Sequence, residues 1–232
     1  MKLRLKIQFF GGRGASSVIL PPRSIRYTAH FGKSRVQIRV SDTLRGSLGV
    51  KGKPYSMDAA LERANPGFSP NHAEYSLNCQ RAVVAFEMLS RGYNVNALNT
   101  YKGDDLPKVA YVNKKLGTYE GKWKGAFKGA KNINVSATRT QGVVNNIEKQ
   151  MKSFGDGSRA VIQVFWKNGG GHVFNAVRKN GKTYYVDAQT NKHYKPNEVI
   201  SKVVPSKVNL VRTDNLRVSD RMRNFVTKSN RK

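Results

Sequence analysis

Apolar residues recur three and four positions apart between residues 78 and 92, a spacing typical of a helix with one buried face. The members of that face are Ala82, Val83, Phe86 and Leu89. Asn78 is of a type that caps helix N-termini, and Gly92 is of a type that follows helix C-termini. The pattern therefore predicts a helix whose first turn contains Cys79, the single cysteine of the chain.

Three later runs are rich in β-branched and aromatic residues and predict strands over residues 160–166, 172–178 and 182–187. The second and third runs are joined by the segment Lys179-Asn180-Gly181-Lys182. Asn-Gly between two such runs is the strongest short-range signal for a hairpin. A further helix is predicted over residues 143–154. These elements together indicate an α+β domain with an antiparallel sheet.

The hairpin turn also predicts which side chains share a face of the sheet. If Lys179 pairs with Lys182, Phe174 lies opposite Asp187, and His172 and Asp187 become diagonal neighbours about 7 to 8 Å apart. A carboxylate at that position can fix the histidine tautomer and leave the other ring nitrogen to face a thiol. The opposite face carries the side chains predicted to enter the core, namely Val173, Val177, Tyr184 and Val186.

These residues favour a cysteine hydrolase over separate structural roles. The start of a helix presents unpaired N–H groups that favour the ionised, nucleophilic thiolate of Cys79. Alone, Cys79 could equally be a core residue, His172 a strand histidine and Asp187 a turn residue. A histidine and an aspartate matched in register, together with a cysteine at the start of a helix, indicate catalysis. Asn78 and Gln189 are candidates to orient the substrate or bind the oxyanion, although a helix cap and a strand-end glutamine are the simpler interpretations.

Four segments resemble the papain-fold toxin family, whose members are similar to protein-glutaminase deamidases: residues 75–81, 91–93, 169–175 and 185–190. The resemblance covers roughly residues 70 to 200. It implies a papain-like fold in which an N-terminal cysteine helix packs on an antiparallel sheet. It also implies that Cys79 is the nucleophile, His172 the base and Asp187 the residue that orients it. Relatives often carry a second cysteine where this chain has Ala82, and a proline where it has Ala188.

The implied chemistry is acyl transfer on a carboxamide or peptide carbonyl of a protein substrate, with no cofactor. Deamidation and proteolysis use the same acyl-enzyme, so the residue types leave both open. Zinc is not expected, because the four histidines and Cys79 lack the paired spacings of structural zinc sites.

The formal net charge of +28, from 42 basic and 14 acidic residues, indicates a polyanionic partner such as nucleic acid. Stacking of bases on Trp123 between neighbouring lysines would suit single-stranded nucleic acid. A structural tryptophan in a solvated loop is the favoured interpretation of that segment. The candidate nucleic-acid-binding residues are Arg13, Arg23, Arg26, Arg35, Lys122, Trp123, Lys124, Arg221 and Arg223.

Charge and glycine content predict three parts: a basic extended arm over residues 1–55, the papain-like domain over residues 56–205, and a basic tail over residues 206–232. The arm includes a strand candidate at residues 35–40. Residues 9–14 resemble the leading segments of phage head-associated proteins, which implies capsid or head proteins as partners.

No apolar run is long enough for a signal-peptide core or a membrane span, so a cytoplasmic or virion-associated protein is expected. Two functions from different classes follow. The first is a papain-like cysteine hydrolase, most simply a glutamine deamidase effector or toxin associated with a phage particle. The second is a non-catalytic basic phage structural protein that binds nucleic acid through its arms.

Overall fold

The structure is a computed structural model that describes residues 48–100 and 122–231, together with four short strands at 27–31, 34–38, 112–113 and 118–119. In chain order, its elements are β1 (Tyr27–Phe31), β2 (Ser34–Ile38), α1 (Met57–Ala64), α2 (Ala73–Ser76), α3 (Cys79–Ser90), β3 (Val95–Ala97), β4 (Val112–Asn113), β5 (Thr118–Tyr119), a 3-10 turn (Lys122–Ala126), β6 (Ile133–Asn134), α4 (Thr140–Phe154), β7 (Arg159–Phe165), β8 (Gly171–Lys179), β9 (Lys182–Asp187), β10 (Lys192–Tyr194), α5 (Pro196–Ile200), β11 (Asn209–Arg212), a second 3-10 turn (Asp220–Asn224) and β12 (Val226–Lys228).

The centre of the fold is a six-stranded antiparallel sheet with the strand order β10-β9-β8-β7-β11-β6. The register predicted for the β8–β9 hairpin is confirmed, because Lys179 pairs with Lys182 and Ala176 pairs with Tyr185. The turn residue Asn180 has a positive φ of 51°, as an Asn-Gly turn of this type requires. The α+β class and its antiparallel sheet are therefore as the pattern predicted.

Both faces of the sheet are covered by separate hydrophobic clusters. On one face, Val173 and Val177 pack with the buried side of α3, as the alternation along β8 predicted. On the other face, Phe174 and Ala176 pack with α4 and α5. This second core was not predicted, because core residues were assigned from the sequence only to the face that carries Val173 and Val177. Side chains on both faces of the sheet are therefore buried against helices.

The cysteine helix α3 runs from Cys79 to Ser90, close to the predicted limits, and Gly92 follows it with a φ of +94°. A side chain at Gly92 would collide with the carbonyl of Gly52, whose own N–H donates to the Gly92 carbonyl at 2.8 Å. The end of the helix is thus fixed by a close backbone approach that only glycine permits.

Glu87 anchors α3 to the sheet through a buried ionic cluster. Its fully buried carboxylate accepts hydrogen bonds from Arg91 at 2.7 Å, from Arg159 of β7 at 2.9 and 3.0 Å, and from the Thr213 hydroxyl at 3.1 Å. Burial of one carboxylate with two guanidinium groups is tolerated because nearly every polar atom is paired. The cluster joins the C-terminal half of α3 to β7 and to the chain after β11.

The two terminal segments do not follow the predicted boundaries. Residues 209–228, assigned to a basic tail, contain β11, which lies inside the six-stranded sheet, and β12, which pairs with β3. Residues 52–55, assigned to the arm, bind the end of α3, where the Tyr55 N–H donates to the Leu89 carbonyl. The charge pattern was misleading because short strands with exposed basic residues resemble a solvated tail. Further upstream, β1 and β2 form an antiparallel pair that overlaps the predicted strand at 35–40.

Among the helices of the described residues, none combines the length and the apolar character that crossing a bilayer would require.

Replacing Glu87 with Gln should lower the free energy of unfolding by about 3 kcal/mol, because the change leaves two partly buried guanidinium groups without their buried counter-charge. Denaturant unfolding of the full chain measures this. The same substitution at Glu198, an exposed residue on α5, should change stability by less than about 0.5 kcal/mol. Equal stabilities for the two variants would contradict the anchoring role of Glu87.

Candidate active site

Three elements bring the predicted catalytic residues together. Cys79 is the first residue of α3, His172 is the second residue of β8, and Asp187 is the last residue of β9. The register between β8 and β9 ends at Asn175 and Val186, so the first residues of β8 pair only with β7. This break in the pairing leaves room beside His172 at the end of the sheet.

The side chains of Cys79, His172 and Asp187 meet there. His172 Nε2 lies 3.4 Å from Asp187 Oδ2, and the Cys79 side chain is close enough to the same imidazole to raise its pKa. Because Nε2 faces the carboxylate, Nδ1 remains for the thiol. Cys79 is partly exposed, whereas His172 and Asp187 are buried. A reachable sulfur backed by a buried base and its carboxylate is the arrangement of a cysteine nucleophile with an oriented base.

Asp187 is held by donors from the turn and strand that follow it. Its carboxylate accepts the Gln189 N–H at 3.0 Å, the Thr190 hydroxyl at 2.7 Å and the Tyr194 hydroxyl at 2.6 Å. Burial alone would raise the pKa of Asp187, but His172 and these hydroxyls outweigh burial and lower the pKa. The carboxylate therefore stays ionised and fixed in orientation, so that it can support a charged imidazole.

The His172 ring lies between two aromatic side chains. Its centroid is 5.5 Å from that of Trp166 and 6.2 Å from that of Phe174, with both pairs stacked. Burial alone would lower the pKa of His172, but the contacts with Asp187 and Cys79 outweigh it and raise the pKa to about 10. The protonated ring therefore stabilises the folded state below about pH 6.5, and this contribution is lost as the pH rises through about 10.

Asn78 occupies the position before α3, but its side chain does not cap the helix, which corrects that interpretation. Its amide nitrogen instead donates to Asn65 Oδ1 at 3.2 Å and to the Leu98 carbonyl at 2.8 Å. A role for Asn78 in binding the oxyanion or orienting the substrate stays a prediction. The Cys79 backbone N–H, at the first residue of the helix, remains the donor suggested by position.

Asn65 connects the two sides of the site, and nothing in the sequence pattern singled it out. Besides accepting from Asn78, its amide donates to the Tyr75 carbonyl at 3.0 Å and to the Gln189 carbonyl at 2.8 Å. One buried side chain therefore links the loop before Cys79 to the loop after Asp187. Long-range contacts of this kind carry no local sequence signal.

Gln189 was expected to share the site with His172. In the structure, Gln189 lies in the loop after β9. Its carbonyl accepts from the Asn65 amide, and its N–H donates to the Asp187 carboxylate. Its side-chain Oε1 is buried and has no hydrogen-bond donor among the described residues. A substrate-orienting role for Gln189 stays a prediction.

The part of the chain that carries these side chains matches a known family. The family model described as papain fold toxin 1, glutamine deamidase, matches residues 77–192, which is half of the chain and contains Cys79, His172 and Asp187. This chain belongs to that family. Searches of curated proteins and of solved structures found no match.

Asn65 and Tyr194 lie outside the segment matched by the papain fold toxin 1 family, although both support the site within it. The matched segment thus carries the triad, and the surrounding chain holds it in position. Among the described residues, no group of three or more His, Cys, Asp and Glu side chains is arranged to hold a metal ion.

The predicted nucleic-acid-binding residues are not gathered at the catalytic site. Trp123 is fully buried, and its indole N–H donates to Gln163 Oε1 at 3.2 Å. Bases cannot stack on a buried ring, so the nucleic-acid role predicted for Trp123 is wrong and its role is structural. Lys122 and Arg221 are exposed, and Lys124 reaches Asn132 Oδ1 at 3.4 Å. Arg223 is partly buried. The other candidates lie in residues whose side chains are outside the described part: Arg13, Arg23, Arg26 and Arg35.

Replacing Cys79 with Ala should lower the pKa of His172 below about 10, because the thiol is one of the groups that raises it. An NMR titration of the histidine Hε1 resonances measures the shift, and the spectrum of His172→Gln identifies the His172 signal. An unchanged titration of His172 in Cys79→Ala would show that the two side chains are not coupled.

Proposed function

We propose that this chain is a protein glutamine deamidase that acts as an effector or toxin. The observation that carries the proposal is the buried His172, which contacts both Asp187 and a partly exposed Cys79 and has a raised pKa. Membership of the glutamine deamidase family favours a side-chain carboxamide over a peptide bond as the group attacked.

The raised pKa of His172 favours a resting thiolate–imidazolium pair. Cys79 Sγ attacks the carbon of the glutamine carboxamide, and the negative charge that develops on its oxygen is directed towards the Cys79 N–H. The imidazolium then gives its proton to the departing nitrogen, which leaves as ammonia, and a thioester remains on Cys79. The neutral imidazole next removes a proton from water, whose oxygen attacks the thioester and releases glutamate and the thiolate.

Asp187 contributes by charge and orientation. It remains ionised through the cycle, since its three other donors and its low pKa favour the carboxylate form. It therefore stabilises the imidazolium when that form appears, and it keeps Nε2 directed away from the thiol. Trp166 covers one face of the ring and Phe174 packs against it, which limits the rotation that would misplace the proton.

The labelling of Cys79 by iodoacetamide tests the activated pair directly. We expect rapid labelling near pH 6 in the wild type and about tenfold slower labelling in His172→Ala, because the imidazolium that favours the thiolate is removed. His193→Ala is the matched control, since His193 is an exposed histidine that pairs with Asp58. Equally slow labelling in all three proteins would overturn the cysteine hydrolase.

Ammonia release from glutamine-containing protein substrates tests the reaction itself. Wild type and His193→Ala should release ammonia and leave the peptide backbone intact, whereas His172→Ala should lose about 10² to 10⁴-fold in rate. Mass spectrometry distinguishes conversion of an amide to an acid from a cleaved chain. Cleavage without ammonia would contradict deamidation and identify a protease.

The net charge of +28 favours a second role, which is compatible with the first. We propose that the protein binds a polyanion such as nucleic acid. The more specific form of this proposal is that the effector is carried with a phage particle. Phosphate contacts through lysine and arginine make such binding independent of sequence and sensitive to salt. Within the described residues, the exposed Lys122 and Arg221 are the candidates on this surface.

Binding of the full chain to double-stranded DNA should weaken steeply as salt rises from about 50 to 200 mM. The variant Lys122→Glu/Arg221→Glu should bind more weakly and show a shallower dependence on salt. The matched control is Lys179→Glu/Lys182→Glu, which makes the same change in charge at the β8–β9 turn. Binding that does not depend on salt would contradict the polyanion proposal.

A further inference from the structure

Trp166 borders both the catalytic site and an open depression on the surface. One face of its ring stacks on His172, and the ring also lines a depression of about 440 Å³ together with Lys167, Asn168 and Lys202. Trp166 is partly exposed, and Lys167, Asn168 and Lys202 are exposed. A polypeptide whose glutamine reaches Cys79 and His172 can therefore continue across Trp166 into this depression.

The backbone around the depression is held in place. The Trp166 N–H donates to the Gly170 carbonyl at 3.0 Å, and the Gly169 N–H donates back to the Trp166 carbonyl at 3.1 Å. The Lys167 N–H donates to the Lys202 carbonyl at 2.9 Å, which joins the two segments that carry the lysines. Two ammonium groups are thus presented from fixed backbone positions, and such preorganisation lowers the entropic cost of binding.

The glycines beside Trp166 keep the approach open. Gly169 and Gly170 have φ values of +98° and +79°, a conformation that side chains other than glycine rarely adopt. A Cβ atom built on either residue would meet no atom within 4 Å. Space beside Gly169 and Gly170 is therefore open to a substrate backbone, and the turn needs glycine for its conformation rather than for lack of room.

The charge of the depression is positive and only weakly compensated. Lys202 Nζ lies 4.0 Å from Glu198 Oε1, but both side chains are about two-thirds exposed, so this pair can be exchanged for a carboxylate of a ligand. A partner of opposite charge would be steered to this face and retained there.

We propose that the depression formed by Trp166, Lys167 and Lys202 binds acidic residues that flank the target glutamine, so that the preferred substrates are acidic protein segments. This inference rests on the proposed deamidase function. An acidic peptide is favoured over nucleic acid as the occupant, because the depression adjoins the catalytic histidine rather than the basic residues assigned to the polyanion surface.

Binding to the full-length Cys79→Ser variant tests the proposal without turnover. The quenching of tryptophan fluorescence is followed with a glutamine peptide flanked by glutamates, a matched peptide flanked by serines, and a single-stranded oligonucleotide. We expect the acidic peptide to bind about tenfold more tightly than the neutral one, with a preference that declines as salt rises. Equal affinity for the two peptides would overturn the proposal.

Charge reversal then locates the site. In a Lys167→Glu/Lys202→Glu background, the preference for the acidic peptide should fall about tenfold and the preference for a lysine-flanked peptide should rise. Lys179→Glu/Lys182→Glu is the matched control, because it lies at the far end of β8, roughly 20 Å from His172. A loss of oligonucleotide binding in place of peptide selectivity would assign the depression to nucleic acid and overturn the acidic-segment proposal.

Turnover measured in parallel distinguishes the proposed binding surface from the proposed deamidase activity. In otherwise wild-type protein, the ratio of kcat/KM for the acidic peptide to that for the neutral peptide should fall about tenfold on charge reversal at Lys167 and Lys202. Selective binding of the acidic peptide without any ammonia release would overturn the deamidase and support the binding surface. Ammonia release without selectivity would support the deamidase and overturn the surface.

Discussion

The placement of α3 on the sheet is the constraint on which the site depends, and the buried carboxylate of Glu87 fixes it. Arg91 and Arg159 bind this carboxylate from the helix and from β7, and Thr213 binds it from the segment after β11. Apolar burial is non-directional, so by itself it specifies the position of a helix less sharply than paired groups do. Paired buried charges penalise a slip of the helix strongly, because any displacement leaves an ion without its partner.

The opposite end of α3 is fixed by neutral hydrogen bonds. Asn65 ties the loop that precedes Cys79 to the Gln189 loop, and Asn78 continues the connection to the Leu98 carbonyl. The ionic cluster therefore holds the helix on the sheet, while the amide network links the loop before Cys79 to the loop after Asp187. Directional hydrogen bonds suit the second task, since interacting groups of a functional site must be held within about 0.5 Å of their productive geometry.

The parts of this arrangement that depend on local sequence were predictable. The helix of Cys79 followed from its apolar spacing, and the meeting of His172 and Asp187 followed from the Asn-Gly turn, which sets the register of every residue in the hairpin. Asn65 and the burial of Trp123 could not be found in this way, because each depends on residues far away in the chain. The strands β11 and β12 were not predicted because they are short and lie in a basic segment that resembles a solvated tail.

The protonation of His172 connects this architecture to the chemistry. A buried imidazole would ordinarily be neutral, and a neutral ring could not supply a proton to departing ammonia without first taking one from the thiol. In the mechanism proposed above, the buried Asp187, held by Thr190 and Tyr194, stabilises the charged form, and the raised pKa of His172 favours a protonated ring before the substrate arrives. In that proposed mechanism the hydroxyl donors act through Asp187. They favour its ionised form, and the carboxylate in turn favours the protonated ring that would pair with the nucleophile.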